Sequence, residues 1–221
     1  MFYAFWRAVI VSLARVVFGV QVRGRDRVPK SGTFIVAPSH RSTLDIPLAA
    51  AVTTRRMRFM AKRELWHGKF WSWVFDQLGA VPVDRDGGDR AALRVLEAAL
   101  LEGEPIVVFP EGTRCSGPEL SPLFSGAAYL ALKQGVTLVP VGIGGSEEII
   151  VKRWGIPLFS RVCVVVGEPI VCERTDGTIK RSAITATNDE LRARLQACLT
   201  EAIEWSTTRS GGSGGQTGEG V

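Results

Sequence analysis

Cysteine and histidine are scarce in this sequence, and neither is spaced as in a structural zinc site. The 221 residues contain four cysteines and two histidines, and no two cysteines form a C-x-x-C pair. Structural zinc sites use four Cys or His ligands at short, regular spacing, so no such site is predicted. Unpaired, scattered cysteines favour a reduced environment facing the cytosol, rather than a disulfide scaffold.

Long apolar runs are also missing. The best candidate, Ala8–Val20, is short and contains Arg15, whereas a transmembrane helix needs about 20 predominantly apolar residues. No small-residue cleavage site follows this run, so it does not predict a secretory signal peptide. A protein of this kind that acts on a membrane is therefore expected to lie on the bilayer.

The overall composition is that of one globular domain with an anionic partner. Hydrophobic residues make up 46% and charged residues 22% of the chain, and the formal net charge is +5. This composition excludes a disordered chain and is typical of a domain of α/β size. The positive charge favours an acidic membrane, a phosphorylated substrate or a nucleic acid. No recognised nucleic-acid motif accompanies the charge, so no nucleic-acid partner is predicted.

Residues 1–20 predict an amphipathic helix. Arg7 and Arg15 fall on one side of it, together with Val11 and Phe18. The opposite face is apolar at spacings of three and four residues, and consists of Phe2, Phe5, Trp6, Val9, Leu13, Val16, Val17 and Val20. Such a helix either anchors in the membrane interface or packs on its own domain, and the pattern allows both.

Beyond this helix, strands and helices alternate, which predicts a single α/β domain over residues 21–205. Strands are predicted at 33–37, 58–61, 80–83, 105–109, 137–143 and 161–166. Helices are predicted at 46–52, 69–78, 88–101, 126–133 and 189–205, the last capped by Asn188 or Asp189. We expect a mixed, mostly buried sheet covered by helices. Residues 206–221 are rich in Gly and Ser and predict a disordered tail.

The most informative motif is the segment Ser39–Asp45, which follows a predicted buried strand and opens a helix. Ligand sites of open α/β sheets gather at such strand ends. A histidine and an aspartate five residues apart can meet across this turn, and the carboxylate of Asp45 would then fix the tautomer of His40. The alternative is a loop histidine beside a helix-capping aspartate.

A second motif, Phe109–Arg114, comes directly after another predicted buried strand. Gly112 allows close backbone approach, Thr113 supplies a hydroxyl and Arg114 supplies a guanidinium for a phosphate. A free carboxylate would repel a phosphate, so Glu111 is expected to pair with an arginine or to accept from a substrate hydroxyl.

Together, four segments resemble the motif blocks of the glycerolipid acyltransferases, in particular the PlsC-type 1-acyl-sn-glycerol-3-phosphate acyltransferases. They are the HX4D motif His40-x-Ser42-x-x-Asp45, Gly79–Arg85, Phe109–Arg114 and Leu138–Val141, in that order. The resemblance implies that His40 is a general base oriented by Asp45. It also implies an acceptor phosphate site, formed by Arg85, Glu111, Gly112, Thr113 and Arg114.

The resemblance implies transfer of an acyl group from acyl-CoA or acyl-carrier protein to the sn-2 hydroxyl of lysophosphatidic acid, giving phosphatidic acid. It requires no cofactor or metal, and it implies a peripheral protein on the anionic, cytoplasmic face of the cell membrane. Many members carry a lysine just before the glycine that matches Gly126, and this chain does not. Other lysophospholipid, amino-acid lipid or glycolipid acceptors therefore stay open, as does a non-catalytic membrane-binding protein of the same fold.

Two further segments have alternative interpretations. A basic run is expected either to hold anionic headgroups or CoA phosphates, or to be a solvated rim; it comprises Arg55, Arg56, Arg58, Lys62 and Arg63. The aromatic segment 65–75 is expected to line an acyl groove, to dip into the membrane interface, or to be a buried core helix.

Overall fold

Strands and helices alternate along the chain in the computed structural model, which describes residues 2–83, 88–147 and 161–211. The helices are α1 (Phe2–Phe18), α2 (Asp45–Ala49), α3 (Gly68–Leu78), α4 (Gly88–Leu101), α5 (Gly126–Gln134) and α6 (Arg181–Gly211). The strands are β1 (Gln21–Arg23), β2 (Phe34–Pro38), β3 (Arg58–Lys62), β4 (Ala80–Val83), β5 (Ile106–Val107), β6 (Thr137–Gly144) and β7 (Cys163–Val166).

The strands form one sheet in the order β1-β7-β6-β2-β5-β3-β4. All neighbouring strands are parallel except β6 and β7, which are antiparallel. The predicted α/β class with a mixed, mostly buried sheet is confirmed. Because β2 lies in the middle of this sheet and is buried along its length, the loop that follows it is held by neighbours on both sides.

Alternation along β2 divides the apolar core between the two faces of the sheet. Phe34 and Val36 belong to one cluster, which α1 and α2 cover, whereas Ile35 and Ala37 belong to the other. Helices α4, α5 and α6 contribute Leu96, Leu130 and Leu191 to that second cluster. The sheet is therefore covered by helices on both faces.

Helix α6 lies directly against β6, which explains the two glycines in this strand. A Cβ atom on Gly142 or Gly144 would lie 2.2–2.3 Å from the backbone of α6. The helix begins at Arg181, so the predicted cap at Asn188 or Asp189 is wrong. Asn188 lies inside the helix and donates from its side chain to the backbone carbonyl of Leu123 (3.4 Å). At its other end α6 continues through residue 211, so the predicted disordered tail is wrong for residues 206–211, and residues 212–221 lie outside the described part of the chain.

Smaller differences have local causes. Of the predicted strand 105–109, only Ile106 and Val107 form the strand, because the chain then turns and Phe109 accepts a hydrogen bond from Gly112 (3.1 Å). The three-residue strand β1 was not predicted, since a segment this short has no periodicity. The predicted helix 46–52 divides into α2 and a 3₁₀ turn over Ala50–Val52.

Helix α1 is apolar on two faces, and most residues of the predicted apolar face point away from the domain, whereas Val20, just after the helix, is buried in the core. Val11 is buried, and Ala14 and Phe18 pack against the core. The exposed side chains include Phe5, Trp6, Val9, Leu13 and Val16, the last 83% exposed. The helix thus packs on its domain while presenting an apolar outer face. Among the described residues, no helix has the length and apolar content needed to span a bilayer.

Candidate active site

The motif residues meet at one edge of the sheet because their strands run parallel. Strand β2 leads into His40 and strand β5 leads into Glu111, and the two strands pair directly through Ile35–Ile106 and Val36–Val107. Their carboxyl ends therefore lie side by side. Arg85 follows β4 but lies outside the described residues.

His40 and Asp45 form the predicted pair. His40 Nδ1 lies 3.1 Å from Asp45 Oδ2, and the carboxylate of Asp45 is fully buried. The same oxygen accepts backbone N–H groups from Arg41 (2.5 Å) and Ser42 (2.6 Å). With its proton on Nδ1 facing this oxygen, the imidazole carries its lone pair on Nε2. The ring of Phe109 lies beside it, with the ring centroids 4.2 Å apart.

Glu111 lies behind the histidine and not at the surface. Its Oε1 accepts the backbone N–H of His40 (2.9 Å), and its Oε2 accepts that of Ser121 (3.1 Å). Both oxygens also accept from Arg41 Nη1, at 3.0 and 2.9 Å. The expectation that Glu111 pairs with an arginine is confirmed. The phosphate contact that the resemblance implied for Glu111 does not agree with this position, since a fully buried carboxylate with these donors faces the interior.

Arg41 is a site residue that sequence reasoning missed. Its side chain is 1% exposed. An arginine is rarely buried to this extent unless it is paired with a carboxylate. The only signal in the sequence is Glu111 itself, because a glutamate directly after a buried strand requires a cation nearby. The sequence offered several arginines and no means to choose among them.

The turn after Glu111 presents its polar groups at the surface. Gly112, Thr113 and Arg114 are exposed, and Arg114 Nη1 donates to Thr43 Oγ1 at 2.8 Å. This contact joins the second motif to the loop of His40. Gly112 has φ +67°, and a Cβ there would lie 2.6 Å from the ring of Phe124. The glycine is therefore required both by its backbone conformation and by the packed ring.

An apolar cavity of about 430 Å³ extends from the His40 loop beneath α1 and α3. Its size lies within the range of ligand pockets, about 300–1,000 Å³. It is lined by Tyr3, Arg7, Val11, Thr43, Ile46, Pro47, Ala50, Met57, Phe59, Ala61, Leu65, Phe75, Leu78 and Val107. Thr43 belongs to the same loop as His40, so the loop that carries the catalytic candidate also lines the cavity.

Two side chains of α1 fasten this helix over the cavity. The Tyr3 hydroxyl donates to the carbonyl of Arg55, and Arg7 Nε donates to the carbonyl of Ala50, both at 3.1 Å. Burial raises the pKa of Tyr3 and lowers the pKa of Arg7. Among the lining residues, Met57 precedes β3 and Thr43 follows β2, so the cavity runs from the carboxyl edge of the sheet towards its amino edge.

Helix α3 is not a buried core helix, and that alternative is wrong. None of its residues is buried, and Phe70 is 65% exposed. We call the exposed apolar side chains of α1 and the α3 region the apolar outer surface; they are Phe5, Trp6, Val9, Leu13, Val16, Leu65, Phe70, Trp71 and Trp73. Exposed apolar groups concentrated in this way are typical of protein–protein, ligand or membrane interaction sites.

The basic run is divided between two roles. Arg56 and Arg58 form ion pairs with Glu104 at the amino end of β3. Lys62 ends β3 at the edge that carries His40, and its ammonium lies 4.0 Å from Glu64 in an exposed pair. Lys62, at the end of the run, therefore lies on the side of the candidate site, whereas Arg56 and Arg58 lie at the opposite edge of the sheet.

Comparisons with known proteins agree with one another. The family model described as Acyltransferase matches residues 19–144. A 1-acyl-sn-glycerol-3-phosphate acyltransferase of Bacillus subtilis is 30% identical over 69% of this chain and 74% of its own length. The one of Streptococcus pneumoniae is 28% identical over 77% of this chain, which spans 63% of that protein. The crystal structure of the 1-acyl-sn-glycerophosphate acyltransferase PlsC from Thermotoga maritima superposes with a TM-score of 0.69 at 26% identity, covering 88% of this chain and 80% of that one.

Proposed function

Because this chain belongs to the acyltransferase family, of the PlsC type, we propose that it acylates the sn-2 hydroxyl of lysophosphatidic acid and releases phosphatidic acid. The relatives named above are acyltransferases for this acceptor. The observation that carries the proposal is the His40–Asp45 pair at 3.1 Å, in a loop whose Thr43 contacts the exposed Arg114 and lines the apolar cavity.

In the proposed reaction His40 acts as a general base. Its Nε2 takes the proton from the acceptor hydroxyl while the hydroxyl oxygen attacks the thioester carbonyl. The tetrahedral intermediate collapses, the C–S bond breaks, and the thiolate of the carrier takes the proton from the imidazolium. Asp45 holds the ring in the tautomer that leaves Nε2 free and stabilises the imidazolium. The thioester is already activated, so the scheme requires no enzyme nucleophile, metal or cofactor.

The acceptor phosphate is assigned to the exposed turn that follows β5. A guanidinium fork matches two phosphate oxygens, and Arg114 is exposed while its Nη1 touches the loop of His40. The Thr113 hydroxyl adds a neutral donor, the exposed Gly112 allows a headgroup to approach the backbone closely, and Arg85 is proposed as the second arginine of this subsite. Glu111 supports the subsite from beneath and is not proposed as a phosphate ligand.

We place the donor acyl chain in the apolar cavity. The cavity begins at Thr43, where the thioester carbon must lie to be attacked beside His40, and continues between apolar side chains. Burial of each methylene is worth about 0.8 kcal/mol, which favours a fatty acyl chain over a short one. Acyl-CoA and acyl-carrier protein both present such a thioester, and both stand as donors in this proposal.

The apolar outer surface is proposed to lie in the interface of an anionic membrane, on its cytoplasmic face. Aromatic side chains favour the headgroup layer, and the net charge of +5 favours anionic lipids. Since α1 and α3 also line the cavity, an acyl chain could pass between bilayer and cavity without crossing water. The protein would then be peripheral.

The proposal is tested with purified protein, labelled acyl-CoA and a panel of acceptors, with the products identified by lipid mass spectrometry. Phosphatidic acid is the expected product, and lysophosphatidic acid the preferred acceptor. Faster acylation of another lysophospholipid, an amino-acid lipid or a glycolipid would reassign the acceptor and keep the reaction class. No transfer to any member of the panel would favour a membrane-binding protein without activity.

A further inference from the structure

We propose that Arg41 and Glu111 form a buried positioning unit for His40, and that neither takes part in binding the acceptor phosphate. This inference rests on the proposed role of His40 as the base. It differs from what the resemblance implied for Glu111. It also assigns a function to Arg41, which the sequence left without one.

The peptide groups on both sides of His40 are held by this unit and its neighbours. Glu111 Oε1 accepts the N–H of His40 at 2.9 Å. The carbonyl of His40 accepts from Arg41 Nη1 at 3.2 Å and from the backbone N–H of Cys115 at 2.9 Å. The N–H of Arg41 donates to Asp45 Oδ2. The N–H and the carbonyl of His40 and the N–H of Arg41 therefore all have hydrogen-bond partners. The imidazole is therefore aimed by its backbone as well as by Asp45.

The unit also fastens the His40 loop to distant parts of the chain. Arg41 Nη2 donates to the carbonyl of Glu119 at 3.1 Å, and its Nε lies 3.5 Å from Glu147 Oε1. Glu147 in turn accepts the backbone N–H of Gly117 at 3.2 Å. A displacement of Arg41 would thus remove these links and leave the loop after β2 joined to the loop after β5 by fewer contacts.

Burial and charge argue against a role in phosphate binding. The side chains of Arg41 and Glu111 are 1% and 0% exposed, so a headgroup at the surface cannot reach them. Their charges cancel, and the guanidinium nitrogens Nη1 and Nη2 already donate to protein oxygens. A positioning role has a different kinetic consequence: displacing a reacting group by about 1 Å can cost about a hundredfold in rate. The effect falls on kcat rather than on acceptor KM.

The test compares Glu111→Gln with Glu104→Gln as its matched control. Glu104 is also paired with arginines, Arg56 and Arg58, but it lies at the other edge of the sheet. We expect Glu111→Gln to lower kcat at least tenfold with acceptor KM within about twofold, and Glu104→Gln to change neither. A raised acceptor KM with kcat unchanged in Glu111→Gln would overturn the positioning role, as would a normal kcat and KM.

A second readout does not depend on activity. The chain has two histidines, so the imidazole ¹⁵N spectrum is assigned by one substitution, His67→Gln. Glu111→Gln is expected to shift or broaden the ring signals of His40 and to leave those of His67 unchanged. Unaltered His40 signals would overturn the inference even if no acyl acceptor were found. Its failure and the failure of the proposed function are therefore distinguishable.

Glu111→Gln leaves the charge of Arg41 without its buried counter-ion, and a second variant covers the case in which this one does not fold. In that case the double variant Arg41→Met, Glu111→Met is used, because it removes both charges and keeps the volume apolar. Its thermal unfolding is followed by circular dichroism before the spectrum is recorded. In the folded double variant we expect the same change in the His40 signals; wild-type signals would contradict the proposal.

Discussion

Asp45 Oδ2 lies 3.1 Å from His40 Nδ1 and also accepts two backbone N–H groups of the loop between them. A single buried oxygen thus fixes both the conformation of the turn and the orientation of the ring. Asp45 is the first residue of α2, so the short helix that follows β2 delivers the carboxylate to this place.

The first prediction concerns this oxygen. Asp45→Asn keeps the shape of the side chain but removes the negative charge that stabilises the imidazolium, and an amide NH₂ facing His40 Nδ1 would favour the wrong tautomer. We expect kcat to fall by roughly 10³–10⁴-fold, as in other enzymes with an aspartate-oriented histidine. Turnover of labelled acyl-CoA measures it. Activity above a tenth of wild type in folded protein would contradict the role of Asp45.

The second prediction concerns the acceptor phosphate. Arg114→Ala should raise the acceptor KM about tenfold to a hundredfold, since a charge-assisted hydrogen bond to phosphate is lost, and should leave donor KM nearly unchanged. Arg114→Lys should restore only part of the acceptor affinity, because the ammonium keeps the charge but lacks the two parallel N–H donors of the guanidinium. Arg85→Ala is expected to behave in the same way.

Monoacylglycerol, which lacks the phosphate, is the control acceptor for these variants. Wild type should use it poorly, and the arginine variants should lose little further activity with it. Equal losses towards phosphorylated and neutral acceptors would mean that these arginines serve the fold or the donor.

The third prediction concerns the membrane. Leu13→Ser with Val16→Ser removes two exposed apolar groups of α1 and should weaken binding to anionic vesicles at least tenfold, because a fully buried aliphatic side chain is worth about 1.5–3 kcal/mol. Thermal stability should change little. Vesicle sedimentation measures the binding.

Val11→Ser is the matched control on the same helix. This residue faces the domain and is buried, so its substitution should lower stability and affect vesicle binding less. If the outer pair lowers stability and spares vesicle binding, the outer face of α1 does not serve as a membrane contact.

The fourth prediction concerns the cavity. Ala61 lies on β3 and lines it, so Ala61→Phe should fill part of the space and shift donor preference towards shorter acyl chains. Competition between acyl-CoA donors of different chain length measures the shift. An unchanged chain-length profile in folded protein would place the acyl chain elsewhere.

Local sequence patterns predicted most elements of the fold but not the contacts that complete the site. Buried strands such as β2 and β6 are continuous apolar runs, and Gly135, with φ +65°, ends α5 as expected. The cap of α6 could not be predicted, since tertiary contacts such as that of Asn188 with Leu123 override a local capping signal. The orientation of α1 was equally inaccessible, because both of its faces carry apolar residues.

In the site, too, local contacts could be predicted from the sequence and long-range contacts could not. His40 and Asp45 are five residues apart, so the local turn alone brings them together, and their pairing was predicted. Arg41 and Glu111 are 70 residues apart, and their contact depends on β2 lying beside β5 in the sheet. The order of strands in the sheet depends on the packing of the whole domain, and the sequence of a single segment does not predict it.

The most direct test of the proposed function is the rate of acyl transfer to lysophosphatidic acid by folded His40→Ala protein. Single-turnover measurements with labelled acyl-CoA, on protein whose unfolding temperature matches wild type, isolate the chemical step. The proposed mechanism predicts a loss of at least two orders of magnitude, the usual contribution of a general base. A rate near that of wild type would show that His40 is not the base and would contradict the mechanism.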